Sequence, residues 1–355
     1  MVGGSVLAVA ALAAAALCLT SGCSTAGYYA QAANGHLDLL QRSRPVTDWL
    51  ADDRTPAALR ERLLLSQRLR DFAVSELKLP DNASYRRYAD LERGAVVWNV
   101  VAAPELSLTL KTWCFPVLGC VGYRGYFDRS EADTLAGRLE TEGWEVNVYG
   151  VPAYSTLGWT NWMGGDPLLN TFVHWPEGEL ARLIFHELAH QVAYADDDTT
   201  FNESFATAVE RIGGRRWLER HASPQARVEF EALEARRQDF RTLTLKTRQD
   251  LEAVYASALT DADKRERKAA VLAAMRSEYA SYKAGRWSGY AGYDGWFARA
   301  NNAAFGVQAA YFELVPAFER LFESSGGDFP RFYAEVQRLA ALPKDQRRAK
   351  LLTSP

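Results

Sequence analysis

The residues of this chain best placed to do chemistry stand together at His186-Glu187-Leu188-Ala189-His190. Two histidines four positions apart in a helix lie one turn above the other on one face, so both imidazoles can offer a ring nitrogen to one zinc ion. Glu187 is offset from that line. It can take a proton from an activated water without itself being a ligand, which is the task of a general base in metal-assisted hydrolysis. Leu180, Leu183, Ile184, Leu188 and Val192 recur with helical spacing and would seat the helix in a core, fixing the imidazoles. The chain holds only five histidines in 355 residues, so a chance pairing of this kind is rare. The competing reading is a pair of packed core histidines.

A catalytic zinc needs a third protein ligand and an open position for water. The best candidate is Glu203, within Phe201-Asn-Glu-Ser-Phe-Ala-Thr-Ala-Val-Glu210. The two segments together resemble the gluzincin metallopeptidases, particularly the alanyl-aminopeptidase type, whose third ligand is the Glu of an Asn-Glu-Gly-Phe-Ala segment on the next helix. More closely, the stretch from about Ala153 to Leu218 resembles a bacterial family of predicted zinc aminopeptidases, often lipoproteins. The resemblance implies Zn2+ as cofactor, Glu203 as third ligand, Asn202 as its adjacent supporting residue and Glu210 as a candidate support two turns later. The interval from His190 to Glu203 is shorter than in those enzymes, so a tight antiparallel helix pair joined through Ala195 to Asp198 is required. Two other readings compete. Thr200 to Glu203 fits a capping box, with Glu203 reaching back to a backbone N–H; and Asp196 could be the ligand if the chain turned at Ala193, where such zincins carry glycine.

Metallopeptidases of this kind commonly add a Tyr or His that donates to the developing oxyanion, and Tyr290, Tyr293 and Tyr311 are candidates. Tyr154, Ser155 and Gly158, just before the zinc helix, are a candidate substrate wall, with an ordinary strand and turn as the plain alternative. An exopeptidase also needs a carboxylate for the free α-amine, and Asp166 and Glu179 are possible.

The elements that must position these groups fall in order along the chain. Residues 1–22 read as a signal peptide, uncharged from Val6 to Leu19 and too short to span a bilayer. The small residues before Cys23 resemble a bacterial lipoprotein cleavage site, which implies lipidation of Cys23, a membrane lipid anchor and a periplasmic location. The pattern departs from type at Thr20 and in lacking a basic residue before the apolar run; simple secretion with cleavage near Cys23 is the alternative. Cys114 and Cys120 then remain as an even pair closing a short loop by a disulfide. A net charge of −3, with basic and acidic residues interleaved, argues against nucleic acid as a partner.

Residues 24–150 read as a mixed α/β region: a helix from about Pro56 to Leu79, strands at Ala95–Val101 and Leu106–Phe115, a helix from about Glu131 to Glu142 capped by Ser130, and a strand from Trp144 to Tyr149. Residues 151–215 form the metal-binding core, with helices from Pro176 to about Tyr194 and from Thr200 to Ile212, the second stopped by Gly213-Gly214. Residues 216–355 are a helical C-terminal region with long charged helices (about Pro224–Leu259 and Ala262–Gly285), an aromatic passage from Trp287 to Trp296 and two further helices. The expected fold class is α+β, a zincin-like catalytic region with a small mixed sheet and two zinc-binding helices, plus a mostly helical C-terminal part.

These residues point to a zinc-dependent hydrolase acting on peptide bonds; the aminopeptidase assignment comes from the resemblance alone. An endopeptidase with the same site and a non-catalytic zinc-binding envelope lipoprotein are the alternatives, and intact Glu187 argues against the latter.

Overall fold

The computed structural model describes residues 27–115, 119–153, 164–196, 198–308 and 314–353. The leader with Cys23, the Tyr154–Gly158 wall and Tyr311 lie outside the described residues. Residues 27–42 form α1. There follow β1 (Arg44–Pro45), α2 (Val46–Ala51), α3 (Ala57–Ser75), β2 (Arg87–Ala89), β3 (Val97–Pro104), β4 (Trp113–Phe115), β5 (Gly119–Val121), β6 (Arg124–Tyr126), α4 (Arg129–Thr141), β7 (Trp144–Val151) and β8 (Leu168–Leu169). The rest is helical: α5 (Glu177–Ala189), α6 (Thr199–His221), α7 (Pro224–Ala256), α8 (Asp261–Ala284), α9 (Asp294–Arg299), α10 (Asn302–Gln308), α11 (Val315–Ser324), α12 (Phe329–Ala340) and α13 (Lys344–Thr353). The class is α+β with small sheets.

Three sheets are present among the described residues. β3 is the centre of an antiparallel sheet ordered β6-β3-β7, with α4 packed on it. β2 pairs antiparallel with β1 and parallel with β8, which delivers the chain to the start of α5. β4 and β5 form a hairpin whose opposed residues Cys114 and Cys120 are joined by a disulfide. The longer strand expected over Leu106–Phe115 is confined to Trp113–Phe115. Its alternating leucines serve two different cores: Leu108 packs with Leu243 and Phe305, and Leu110 against Val101 and Ala303.

The main core does not follow chain order. Leu69 and Phe72 of α3, Leu180, Ile184, Phe185 and Leu188 of α5, Phe201, Phe205 and Val209 of α6, and Phe318, Phe332 and Val336 of α11 and α12 belong to one buried cluster. Each such side chain contributes about 1.5–3 kcal/mol on burial, so the last fifty residues help hold the helices that carry the histidines. A second, aromatic cluster joins α7, α8 and α9 around Trp287, Tyr279 and Phe297. No helix among the described residues is long and apolar enough to cross a membrane.

Gly213-Gly214 does not end α6, which continues to His221. A Cβ on Gly213 would meet Leu77 at 2.6 Å and Phe185 at 3.0 Å, and one on Gly214 would meet Arg182 at 3.1 Å. The glycines are there for close helix approach, and the packing gained outweighs their helix cost of roughly 1 kcal/mol each. The end of α5 also differs from expectation. The helix stops at Ala189, with His190 as its C-cap, because the next turn is held from outside: Gln191 accepts from Asn82 at 2.6 Å and donates to Ser84, and the Val192 carbonyl accepts from Gln337.

Candidate metal centre

α5 and α6 are antiparallel partners, matched from Glu177 against Trp217 through Arg182 against Gly214 to His190 against Glu203. The N-terminal end of α5 is fixed by Arg62, which donates to the carbonyls of Val173 and Trp175, and by the Trp217 indole on Glu177 at 2.8 Å. Glu177 and Glu179 in the first turn suit the positive end of the helix dipole.

The turn between the two helices is short and closed. Asn202 receives the Ala195 N–H and donates to the Ala195 carbonyl, both at 2.8 Å. Asp198, 1% exposed, caps α6 by accepting from the Phe201 N–H at 3.2 Å and pairs with Arg347 at 3.2 Å and Arg348 at 2.7 Å. The cap at Asp198 removes the Thr200 capping-box reading. Glu203 lies in the second turn of α6 and faces the histidines.

There the donor atoms converge. His186 Nε2 and His190 Nε2 are 3.2 Å apart, and one Glu203 oxygen is 3.3 Å from the first and 3.8 Å from the second. Ligands about 2.05 Å from a tetrahedral zinc are separated by about 3.3 Å, so the donor set suits such an ion in type and spacing. Asp196 is not in this cluster, the metal-compatible group found among the described residues.

The second ring nitrogen of His186, Nδ1, is 3.0 Å from Glu210, which fixes the ring and turns the Nε2 lone pair toward His190 and Glu203. Glu210 in turn accepts from Arg182 at 2.5 and 3.1 Å, and Arg182 reaches Glu234, itself held by Arg237 and Arg241. Arg182 is 6% exposed. A buried charge of this kind is tolerated only when paired on every side, and loss of one partner costs about 3–5 kcal/mol.

The electrostatics follow the geometry. Burial opposes the charged form of Glu210, yet Arg182 and His186 overcome it and bring its pKa down to about 2. Burial would lower the pKa of His186, but its hydrogen bonds to Glu203 and Glu210 and the charges of Glu210 and Glu187 hold it well above the ordinary histidine range. His190 is pushed down to about 4 by burial, which outweighs the opposing charge of Glu203, with His186 adding to the lowering.

Glu187 and His186 line a cavity of about 270 Å³ together with Trp175, Glu179, Arg237 and Glu210. The charge of Glu187 also reaches the Tyr85 phenol, which is buried, lacks a hydrogen-bond partner among the described residues and sits at φ 63°. Strained backbone of this kind concentrates at functional sites. Glu203 is felt by three further phenols, Tyr123, Tyr149 and Tyr194, whose pKa values are raised by partial desolvation and by that carboxylate, Tyr123 and Tyr194 each keeping 45% of their surface exposed. The Tyr123 side chain comes from the segment just after the disulfide hairpin.

Of the expected oxyanion donors, Tyr290 and Tyr293 pack against Trp287, and Tyr293 also stacks on Phe240, in the second core. Asp166 is buried in the loop before β8, close enough for its charge to reach Tyr85. Glu179 forms an ion pair with Arg237. Sequence reasoning missed Arg182 and Glu234, though Arg182 stands four residues before His186 and so on its face. It also missed Tyr194, four residues after His190 and in ring contact with it, and Tyr85, Tyr123 and Tyr149, for which no local pattern exists.

A family model described as "Putative aminopeptidase" matches residues 27–351. No curated protein and no solved structure matches the chain.

Proposed function

Because the chain belongs to the "Putative aminopeptidase" family, we propose that it is a zinc-dependent peptidase of zincin-like, gluzincin organisation that removes residues from the N-terminus of peptides. The observation that carries this reading is the approach of two imidazole nitrogens and a carboxylate oxygen to within 3.2–3.8 Å, next to Glu187. His186, His190 and Glu203 would hold the ion, and Glu210 would orient His186. Zinc bound there supplies a Lewis acid that polarises the scissile carbonyl and draws the pKa of water toward neutrality.

Glu187 takes the proton of the attacking water and returns it to the leaving amine, so bond cleavage needs no other acid. Its place on α5, one residue from His186 and lining the same cavity, would set it beside the reacting carbonyl without making it a ligand. The phenols of Tyr123, Tyr149 and Tyr194 lie within electrostatic reach of Glu203, and one of them would hydrogen-bond the oxygen that gains charge. The Cys114–Cys120 disulfide supports an oxidising compartment. It accords with export, lipidation at Cys23 and attachment at the periplasmic face of a membrane.

Peptides with free and with blocked N-termini test the reading. Release of N-terminal residues only from free peptides is expected, with Glu187→Gln reducing kcat about 10²–10⁴-fold at unchanged zinc content. Internal cleavage of blocked peptides would make the protein an endopeptidase, and an inactive wild type with bound zinc would remove the hydrolytic reading.

A further inference from the structure

The cavity holding His186 and Glu187 shares Trp175, Glu179 and Arg237 with a larger one, of about 710 Å³, which lies between α5 and α7 and extends to Tyr290 and Tyr293. The two charged residues of the shared wall neutralise each other: Arg237 pairs with Glu179 and also with Glu234 at 2.6 Å. Arg236 is different. It lines the larger cavity, partly buried, with its guanidinium 4.6 Å above the Tyr290 ring, and it has no ion pair or hydrogen bond among the described residues.

The acidic residues nearby do not answer it. Asp239, one turn on along α7, is taken by Arg286 at 3.0 Å and by the Trp287 indole at 2.8 Å. Glu229 also lines the cavity but stands two turns earlier on the same helix, about 10 Å away along the axis. The cavity therefore presents an oriented cation on an aromatic platform, walled by Trp175 and Tyr293, that lacks its anion. Such a site suits a carboxylate, which a guanidinium can grip with two parallel hydrogen bonds.

We propose that this cavity is the distal part of the substrate site and that Arg236 binds a carboxylate of the peptide on the C-terminal side of the cleaved bond. The inference rests on the peptidase reading above. Spacing sets the substrate length. Glu179 is seven residues before His186 on α5, about 10 Å of helix, and an extended peptide covers about 3.3 Å per residue. A carboxylate held beyond Glu179 thus belongs to the third residue or later after the scissile bond, so the chain should favour short peptides of about four to six residues. The carboxylate can be the C-terminus of such a peptide or an acidic side chain at the same distance.

The experiment compares one pentapeptide as free acid, as C-terminal amide, and as an amide carrying Glu at its fourth position, in the wild type and in Arg236→Gln and Arg236→Lys. KM is read from hydrolysis, and Kd from calorimetry on the zinc-loaded Glu187→Gln protein and its Arg236 double variants. The wild type should favour the free acid over the plain amide about tenfold in both KM and Kd, the equivalent of 1.4 kcal/mol. That preference should vanish in Arg236→Gln, persist in part in Arg236→Lys, and leave the kcat ratio of the two peptides unmoved. Recovery of affinity by the Glu-bearing amide assigns the site to an acidic side chain; no recovery assigns it to the C-terminus. Equal KM and Kd for acid and amide in the wild type, or a preference that survives Arg236→Gln, overturns the proposal. Failure to cleave any peptide while the calorimetric preference stands would sink the peptidase reading and leave Arg236 as a carboxylate-binding site.

Discussion

α6 and α7 follow one another in the chain and obey opposite rules. α6 buries thirteen of its 23 residues, among them Asn202, Ser204 and Thr207, and its neighbours add buried Arg182, His190 and Asp198. α7 buries four of its 33, and its charged residues face solvent or the cavity except around Glu234, which pairs with Arg241 and reaches the buried Arg182. Along most of α7 polarity marks the outside, and the helix is held largely by its neighbours' aromatic rings. In the α5–α6 pair polarity marks the site, because every buried charge there has been given a partner at a cost that packing alone would not require.

The largest consequence is an acid limit that acts on one region. Glu210 and Glu234, both brought to about 2 from an ordinary 4.5, have folded pKa values below their unfolded ones. Their contribution to stability is complete above about pH 4.5 and is lost as pH falls toward 2. Hydrogen exchange should then show α5, α6 and the turn of α7 that carries Glu234 losing protection over that window before α8. Uniform loss along the chain would erase the distinction. Asp198→Ala removes the α6 cap and leaves the buried Arg347 without its carboxylate, so it should cost about 3–5 kcal/mol in denaturant unfolding; a cost below 1 kcal/mol would mean that the pairing of α13 to α6 is incidental. Glu210→Gln keeps the volume but weakens the grip on His186. Zinc affinity should fall about 10–100-fold, measured by competition with a chelator while the fold is retained. At the small end, Leu245→Ser on the exposed face of α7, where Leu245 is 45% exposed, should change stability by no more than about 0.5 kcal/mol.

The same contrast explains what could be read from the residues in advance. The long helices α7 and α8 were legible because their signals are local: Ser223 and Thr260 cap where the pattern breaks, and both helices lie within about three residues of expectation. The pairing of Cys114 with Cys120 was legible from count and spacing. Around the site, the convergence of His186, His190 and Glu203 was foreseeable from helical geometry and a family pattern. The details were not. Gly213-Gly214 reads locally as a stop, and only Leu77 and Phe185 turn it into a contact. The end of α5 is imposed by Asn82 and Gln337, far away in sequence. The phenols of Tyr85, Tyr123 and Tyr149, which feel the charge of Glu187 or Glu203, come from three separate segments that no single window of sequence contains.

Metal content tests the central claim most directly. Protein equilibrated with zinc and dialysed should retain one ion per chain, and His186→Ala, His190→Ala and Glu203→Ala, each folded by circular dichroism, should retain far less. Zinc below stoichiometry in the wild type, or retention unchanged across all three variants, would contradict the account.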